Sequence, residues 1–355
     1  MMARDFAASR RLFLEAADQA RASIEHVVLE GSGAPDGTEL AVDLASIVPP
    51  QGQSDWLVVV SGTHGIEGYV GSAIQSAWLQ KWHGSPGRRC GVLMVHALNP
   101  FGMAWWSRSD RDGIDLNRNF LEFPQLLVNP GYERLHDSIC GPRREALSLA
   151  ALSEIFAAFE REHGTQALTN ALIGPQSTHA DGMNFTGTAP SWSRLLLEAQ
   201  LDHIRERGAR RVMLLDLHAG VAPRGEAVLL HFPSEAGAAE RARRIWGTGL
   251  PGIGVGAQGL ADYSGLLVQG AQRRLGPSIH AVVAEIGTVD RLTIREALRL
   301  DRWLRHHGDP LRDETVRERL IEAFCPRDPV WEEVVMRRGV ALLEFAMAGL
   351  TERWD

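Results

Sequence analysis

The sequence predicts an α/β fold, a mixed and mostly parallel sheet flanked by helices, with a helical C-terminal extension. Three observations carry that expectation. Apolar runs at 57–60, 92–95, 212–215 and 281–284 each empty into a turn with a polar residue or glycine, as buried strands do. Segments of helical period lie between them, and alternating strands and helices imply a parallel sheet covered on both faces. Hydrophobic residues make up 45% of the 355, enough for a substantial core and too many for a disordered chain.

The elements follow in order. Residues 1–15 carry Arg4, Arg10 and Arg11 without reaching an apolar signal core, so they read as a helix. Segments 24–29 and 38–43 flank Ala34-Pro35-Asp36-Gly37, a turn signal that makes them an opening hairpin. After the strand at 57–60, residues 68–82 form a helix with Ile74, Ala77, Trp78 and Leu79 along one side. The span 121–144, rich in Pro, Asn and Gly, is expected to be a long loop rimming a cleft. Residues 145–162 return to the helical period, with Leu152, Ile155, Phe156 and Phe159 on one face, and 191–207, 234–246 and 290–306 read likewise. From Pro310 the pattern is nearly all helical, with Val330, Trp331, Val334 and Val335 clustered beside charged residues. The chain therefore divides into an α/β domain over 1–309 and a packed helical extension over 310–355; an oligomer interface is the alternative use of the latter. There is no internal repeat.

Composition excludes several classes. Net charge is −7 without a basic cluster, which argues against nucleic acid as the partner. No stretch has the length and purity of a transmembrane helix, so no membrane partner is expected. Cys90, Cys140 and Cys325 are odd in number, far apart and outside any C-x-x-C spacing. They read as free thiols of a reducing cytoplasm rather than as zinc ligands.

The most informative stretch is Ser61-Gly62-Thr63-His64-Gly65-Ile66-Glu67-Gly68. It puts His64 and Glu67 at the carboxyl end of a strand, where open α/β sheets bind ligands. Imidazole and carboxylate three residues apart can converge on one ion, and the glycines let the backbone bend to permit it. Alone the pattern is as compatible with a helix-start carboxylate beside a satisfied histidine. A second strand end, Asp216-Leu217-His218-Ala219-Gly220, supplies another imidazole. Two imidazoles and one carboxylate suit a catalytic zinc ion with an open coordination position. The run at 281–284 ends at Glu285, a carboxylate able to activate a metal-bound water. Between them lies Asp115-Leu116-Asn117-Arg118-Asn119-Phe120, reached through Asn99-Pro100-Phe101-Gly102.

Together these motifs resemble the zinc carboxypeptidases of carboxypeptidase A type, and more narrowly an uncharacterised bacterial branch of that superfamily, a domain of unknown function. The similarity covers roughly residues 55 to 300. It implies one zinc ion on His64, Glu67 and His218, with Glu285 as general base and general acid. It implies that Asn117 and Arg118 hold the free carboxylate of the substrate, that Arg108 polarises the scissile carbonyl, and that Asp115 orients the first metal histidine. Tyr263, 22 residues before Glu285, is similarly placed to a substrate-binding phenol of the family. The stretch 181–192 also resembles the branch, with no chemistry attached to it.

Each residue has a plainer use. Asn117 and Arg118 can be a surface pair beginning a turn, although an arginine fork with an adjacent amide is a good carboxylate receptor. Arg111 stands close enough to Arg108 to serve in its place, and either can be a solvated loop charge. Glu285 can merely cap the following turn. Asp216 shares a strand face with His218 and is expected to support the site as a buried partner. The remaining histidines lack these contexts, His96 and His179 being the first exceptions to look for. The expected reaction is zinc-dependent hydrolysis of an amide bond next to a free carboxylate in a small peptide. The alternative is an aspartoacylase- or desuccinylase-like deacylase of N-acyl amino acids. A non-catalytic binding module on the same fold would need the loss of a ligand or of the base, and every required residue type is present.

Overall fold

The computed structural model describes residues 2–49, 54–82, 90–124, 126–142, 149–232, 237–247, 253–257 and 263–354. Among them eight strands form one sheet: β1 (Ser23–Gly33), β2 (Glu39–Ile47), β3 (Asp55–Ser61), β4 (Cys90–His96), β5 (Arg211–Arg224), β6 (Ala227–His231), β7 (Ile253–Ala257) and β8 (Ile279–Gly287). Their spatial order is β1-β2-β4-β3-β5-β8-β6-β7. The central four, β4, β3, β5 and β8, run parallel, and antiparallel pairing joins β1 to β2, β2 to β4 and β6 to β8.

Side-chain alternation sorts each central strand between two cores. Leu57, Val59, Met213 and Leu215 face one side, which helices Phe6–Gln19, Gly68–Lys81, Arg291–His306, Glu314–Phe324 and Pro329–Glu352 cover. Val58, Val60, Val212 and Leu214 face the other, under helices Trp192–Glu206 and Leu267–Leu275. Strands buried on both faces read as unbroken apolar runs, which is why these four stood out in the sequence. The helices over 314–352 belong to the first core: Leu342, Leu343, Ala346 and Leu350 are fully buried in it. Among the described residues no helix is long and apolar enough to cross a membrane.

The hairpin, the strands at 57–60, 92–95, 212–215 and 281–284, and the helices at 68–82, 191–207 and 290–306 form as the sequence predicts. One expectation fails. The span 121–144 is not a long loop, because it contains the helix Pro130–Cys140. Asn129 caps that helix by accepting from the Tyr132 amide, Pro130 takes the first turn, and Tyr132, Leu135 and Ile139 bury one face in a third, smaller core. The first residues of the helices expected at 145–162 and 234–246, and His83, lie outside the described residues. The described parts are Leu149–His163 and Ala238–Trp246.

After β3 the chain crosses to β4 on one side, and it later adds β5 on the other. The carboxyl ends of β3 and β5 therefore flank a topological switch point, where the backbone leaves a crevice for ligand.

Candidate metal centre

His64 and Glu67 leave β3 through a turn that depends on two glycines. Gly62 sits at φ +72°, a conformation side chains resist. At Gly65 a Cβ would lie 2.1 Å from the Gly102 backbone, so the loop after Asn99 can press against this turn only because a glycine is there. The short 3-10 turn Gly65–Glu67 then aims the Glu67 carboxylate back at the strand end, where His218 arrives from β5.

The geometry of the two histidines is nearly symmetric. Nε2 of His64 lies 3.0 Å from Oδ1 of Asp115, and Nε2 of His218 lies 2.8 Å from Oδ2 of Asp216. Carboxylates only accept, so each Nε2 carries a proton, and in the neutral imidazole each Nδ1 keeps a lone pair. Those two Nδ1 atoms face each other at 3.1 Å, and each is 3.1 Å from one oxygen of Glu67. The rings meet edge to face, at 73°. Bare acceptors brought this close repel one another unless a cation stands among them. Two neutral nitrogens and a carboxylate, each imidazole backed by its own carboxylate, form the donor set and support that zinc favours. The residues present thus fit the ion.

The supports are themselves fixed. Asp216 also accepts from the Thr63 hydroxyl at 2.6 Å. Asp115 caps the short helix Leu116–Asn119, accepting from the Asn117 amide through Oδ1 and from Arg108 Nε through Oδ2. Burial alone would raise the Glu67 carboxyl, but in the absence of an ion the positive charge of protonated His64 and His218 and of Arg108 overcomes it and holds the group below the ordinary carboxylate range. At Glu285 burial acts in the same sense and prevails. Together with the negative field of Glu67 it pushes that carboxyl above its ordinary value. Glu285 is the cross-strand neighbour of His218, it is half-buried, and its carboxylate accepts no hydrogen bond from a described residue.

Arg108 donates from Nη1 to Glu67 at 2.7 Å and from Nε to Asp115, with Nη2 remaining. Arg111 turns away, donating to the Glu30 carbonyl on the hairpin, so Arg108 is the arginine at this centre. Arg118 is buried and spends three of its five N–H groups on the carbonyls of Ile173 and Asn117. Burial lowers its proton affinity, and no carboxylate of a described residue lies in ion-pair contact with it. Asn117 is buried and accepts from the Leu267 amide through Oδ1. Tyr263 lies 5.8 Å from the Arg118 guanidinium. The segment it begins is fitted to the motif helix, since at Gly265 (φ +78°) a Cβ would strike the Arg118 carbonyl at 2.3 Å. Residues 248–252 and 258–262, the latter directly before Tyr263, lie outside the described residues.

The sequence did not reveal the roles of Thr63 and Asn119, or what the 181–192 stretch does. Asn119 donates to the carbonyls of Thr186 and Ala189 and accepts from the Ser191 amide, while the Asp115 amide donates to the Phe185 carbonyl. That stretch is the cradle of the motif helix. Asn119 was visible within the motif, but its partners are about seventy residues away.

No curated protein matches the chain. Among solved structures, carboxypeptidase A from Helicoverpa armigera is 14% identical, with 89% of this chain and 72% of that one covered at a TM-score of 0.47. A metallo-carboxypeptidase from Burkholderia cenocepacia is 12% identical over 86% and 68%, with a TM-score of 0.45. The succinylglutamate desuccinylase from Chromobacterium violaceum is 14% identical over 92% and 76%, with a TM-score of 0.40. Likeness at that level does not decide among activities. The sequence match is of another order: residues 2–338 fit one family profile, and the chain belongs to the family described as protein of unknown function DUF2817.

Proposed function

We propose that the protein is a zinc-dependent hydrolase of an amide bond adjacent to a free carboxylate. The observation that carries this reading is the convergence of two bare imidazole nitrogens and the Glu67 carboxylate, with a proton-exchanging carboxyl on the neighbouring strand. His64, Glu67 and His218 would hold one zinc ion, whose Lewis acidity lowers the pKa of water and polarises a carbonyl. Glu285 takes a proton from the attacking water and later returns it to the leaving nitrogen, and its raised pKa suits both transfers. Arg108 offers its remaining Nη2 to the carbonyl oxygen, where negative charge develops. Its bonds to Glu67 and Asp115 fix the plane of the guanidinium before substrate arrives.

Arg118 and Asn117 form the carboxylate receptor. A buried guanidinium with two N–H groups left and no carboxylate of a described residue in contact is suited to an anion from outside the chain. Holding that anion orients the bond to be cleaved. Tyr263, beside Arg118, adds a phenol to the same wall. Both a C-terminal peptide bond and the acyl bond of an N-acyl amino acid present an amide next to a carboxylate. The receptor favours the two together over any neutral amide.

The test is kcat/KM for a C-terminal dipeptide, an N-acyl amino acid and the carboxamide of each. The acid should exceed its carboxamide by on the order of 100-fold, since charge-assisted bonds contribute about 1.5–3 kcal/mol and 1.4 kcal/mol is tenfold. Arg118→Ala should erase most of that ratio with zinc content unchanged. Equal rates for acid and carboxamide on the unaltered protein would reject the receptor.

A further inference from the structure

Away from the strand ends, His136, His179 and Asp181 gather on the side of the molecule formed by the third core. His136 lies on the helix Pro130–Cys140, and the other two occupy a turn 43 and 45 residues later. That turn is built in advance. The fully buried Gln176 accepts from the amides of Thr178 and His179 and donates to the carbonyls of His179 and Met183. Gly182 closes against Tyr132, where a Cβ would lie 2.6 Å from the hydroxyl.

Tyr132 also sets the orientation of His136. Its hydroxyl accepts from the Met183 amide at 2.7 Å and lies 3.3 Å from His136 Nδ1 and 3.4 Å from Cys140 Sγ. The hydroxyl proton can go to the sulfur while Nδ1–H donates to the oxygen. Nε2 lies 3.3 Å from Oδ2 of Asp181, and an ion bound there would displace the proton that Nε2 otherwise donates to that carboxylate. Burial pulls the His136 imidazole below its ordinary pKa, which eases loss of a proton to an incoming ion. The His179 ring stacks on it at 4.0 Å, and one ligating atom from each of the three residues lies within 4.8 Å of the others. Closing on an ion asks the His179 ring to turn out of the stack, which its half-exposed turn permits.

We propose that His136, His179 and Asp181 form a second divalent-cation site that ties the helix Pro130–Cys140 to the 176–183 turn. Two imidazole nitrogens and one carboxylate oxygen select zinc, cobalt or nickel over magnesium and calcium. The turn continues into the 181–192 cradle, so an ion here braces the segment on which Asp115 rests. The site shares no residue with the strand-end centre and stands or falls separately from it.

The experiment is zinc stoichiometry on the full chain. Protein stripped with a chelator is dialysed against zinc in excess magnesium and its metal measured, for the unaltered protein, His179→Ala, Asp181→Asn and His218→Ala. Two equivalents are expected in the unaltered protein and one in His218→Ala. The second should bind at least about tenfold more weakly in His179→Ala and in Asp181→Asn, since even partners behind a ligand are worth that much. A single equivalent lost in His218→Ala and kept in His179→Ala overturns the second site and leaves the first. A single equivalent kept in His218→Ala and lost in both turn variants supports the second site and rejects the first. Two equivalents unaffected by both turn variants, or none at all, overturn the proposal.

Discussion

Two buried histidine–carboxylate clusters stand on neighbouring strands of this sheet, and their charge balance is opposite. Around Asp43 on β2, one carboxylate meets more donors than it needs. Arg10 gives it two bonds, at 2.8 and 3.0 Å, and His26 lies 2.5 Å away. His96, at the end of β4, stacks on Phe13 and reaches Ser72 at 2.9 Å; its other nitrogen is 3.6 Å from Asp43. The Arg10 and His26 contacts are of donor with acceptor. At the ends of β3, β5 and β8 the excess is on the other side: Glu67, Asp115, Asp216 and Glu285 surround two imidazoles and one guanidinium. A histidine beside a carboxylate is thus no indication of a metal centre by itself. A surplus of acceptors converging on one point is.

The comparison breaks most severely at Glu285. If it is the proton carrier and no ligand, Glu285→Gln keeps the metal and substrate affinity and loses turnover by on the order of 1,000-fold. Metal analysis beside single-turnover kinetics reads both. Loss of the metal in this variant, with Glu67→Gln retaining it, would exchange the two roles. Smaller, and aimed at the support of the ligands, is Asp115→Asn. It leaves His64 without a fixed tautomer and should weaken zinc by about 10–100-fold in a chelator competition. Asp43→Asn, the same change in the donor-rich cluster, should leave zinc affinity unaltered. Equal loss in both would mean that burial of carboxylate, not its place behind an imidazole, governs the metal.

Much of this centre was legible because its parts sit where apolar runs stop. His64, His218 and Glu285 are each read from a strand end, and Asp216 from alternation along β5. Asp115 and Arg108 became visible only through resemblance, since neither belongs to a strand. What stayed hidden depends on long-range closure. Thr63 meets Asp216 across 153 residues, and no local pattern announces that bond. The helix Pro130–Cys140 was lost for a different reason. The Asn129-Pro130 start signal is present, but averaging over a span rich in Pro, Asn and Gly hid it. With it went His136, a histidine that no neighbouring pattern singles out.

The last effect, read on folding and not on metal or turnover, measures the donor-rich cluster directly. Burial works to raise the Asp43 carboxyl, yet His96, Arg10 and His26 beside it hold it at about 2. An ordinary aspartate titrates near pH 3.9, and each tenfold difference in proton affinity is worth about 1.4 kcal/mol. The ionised group therefore contributes about 2–3 kcal/mol to folding. Because the folded pKa is the lower one, the contribution is complete above the unfolded value and is lost as pH falls from about 4 to about 2. Asp43→Asn should therefore be less stable than the unaltered protein by a constant amount near pH 7, and the two should converge across that acid window. The measurement is the urea midpoint of both proteins at a series of pH values. A difference that persists unchanged down to about pH 2 would show that the asparagine loses packing or hydrogen bonds rather than charge. Asp43 would then owe its place to its shape, and the contrast between the two clusters would no longer rest on electrostatics.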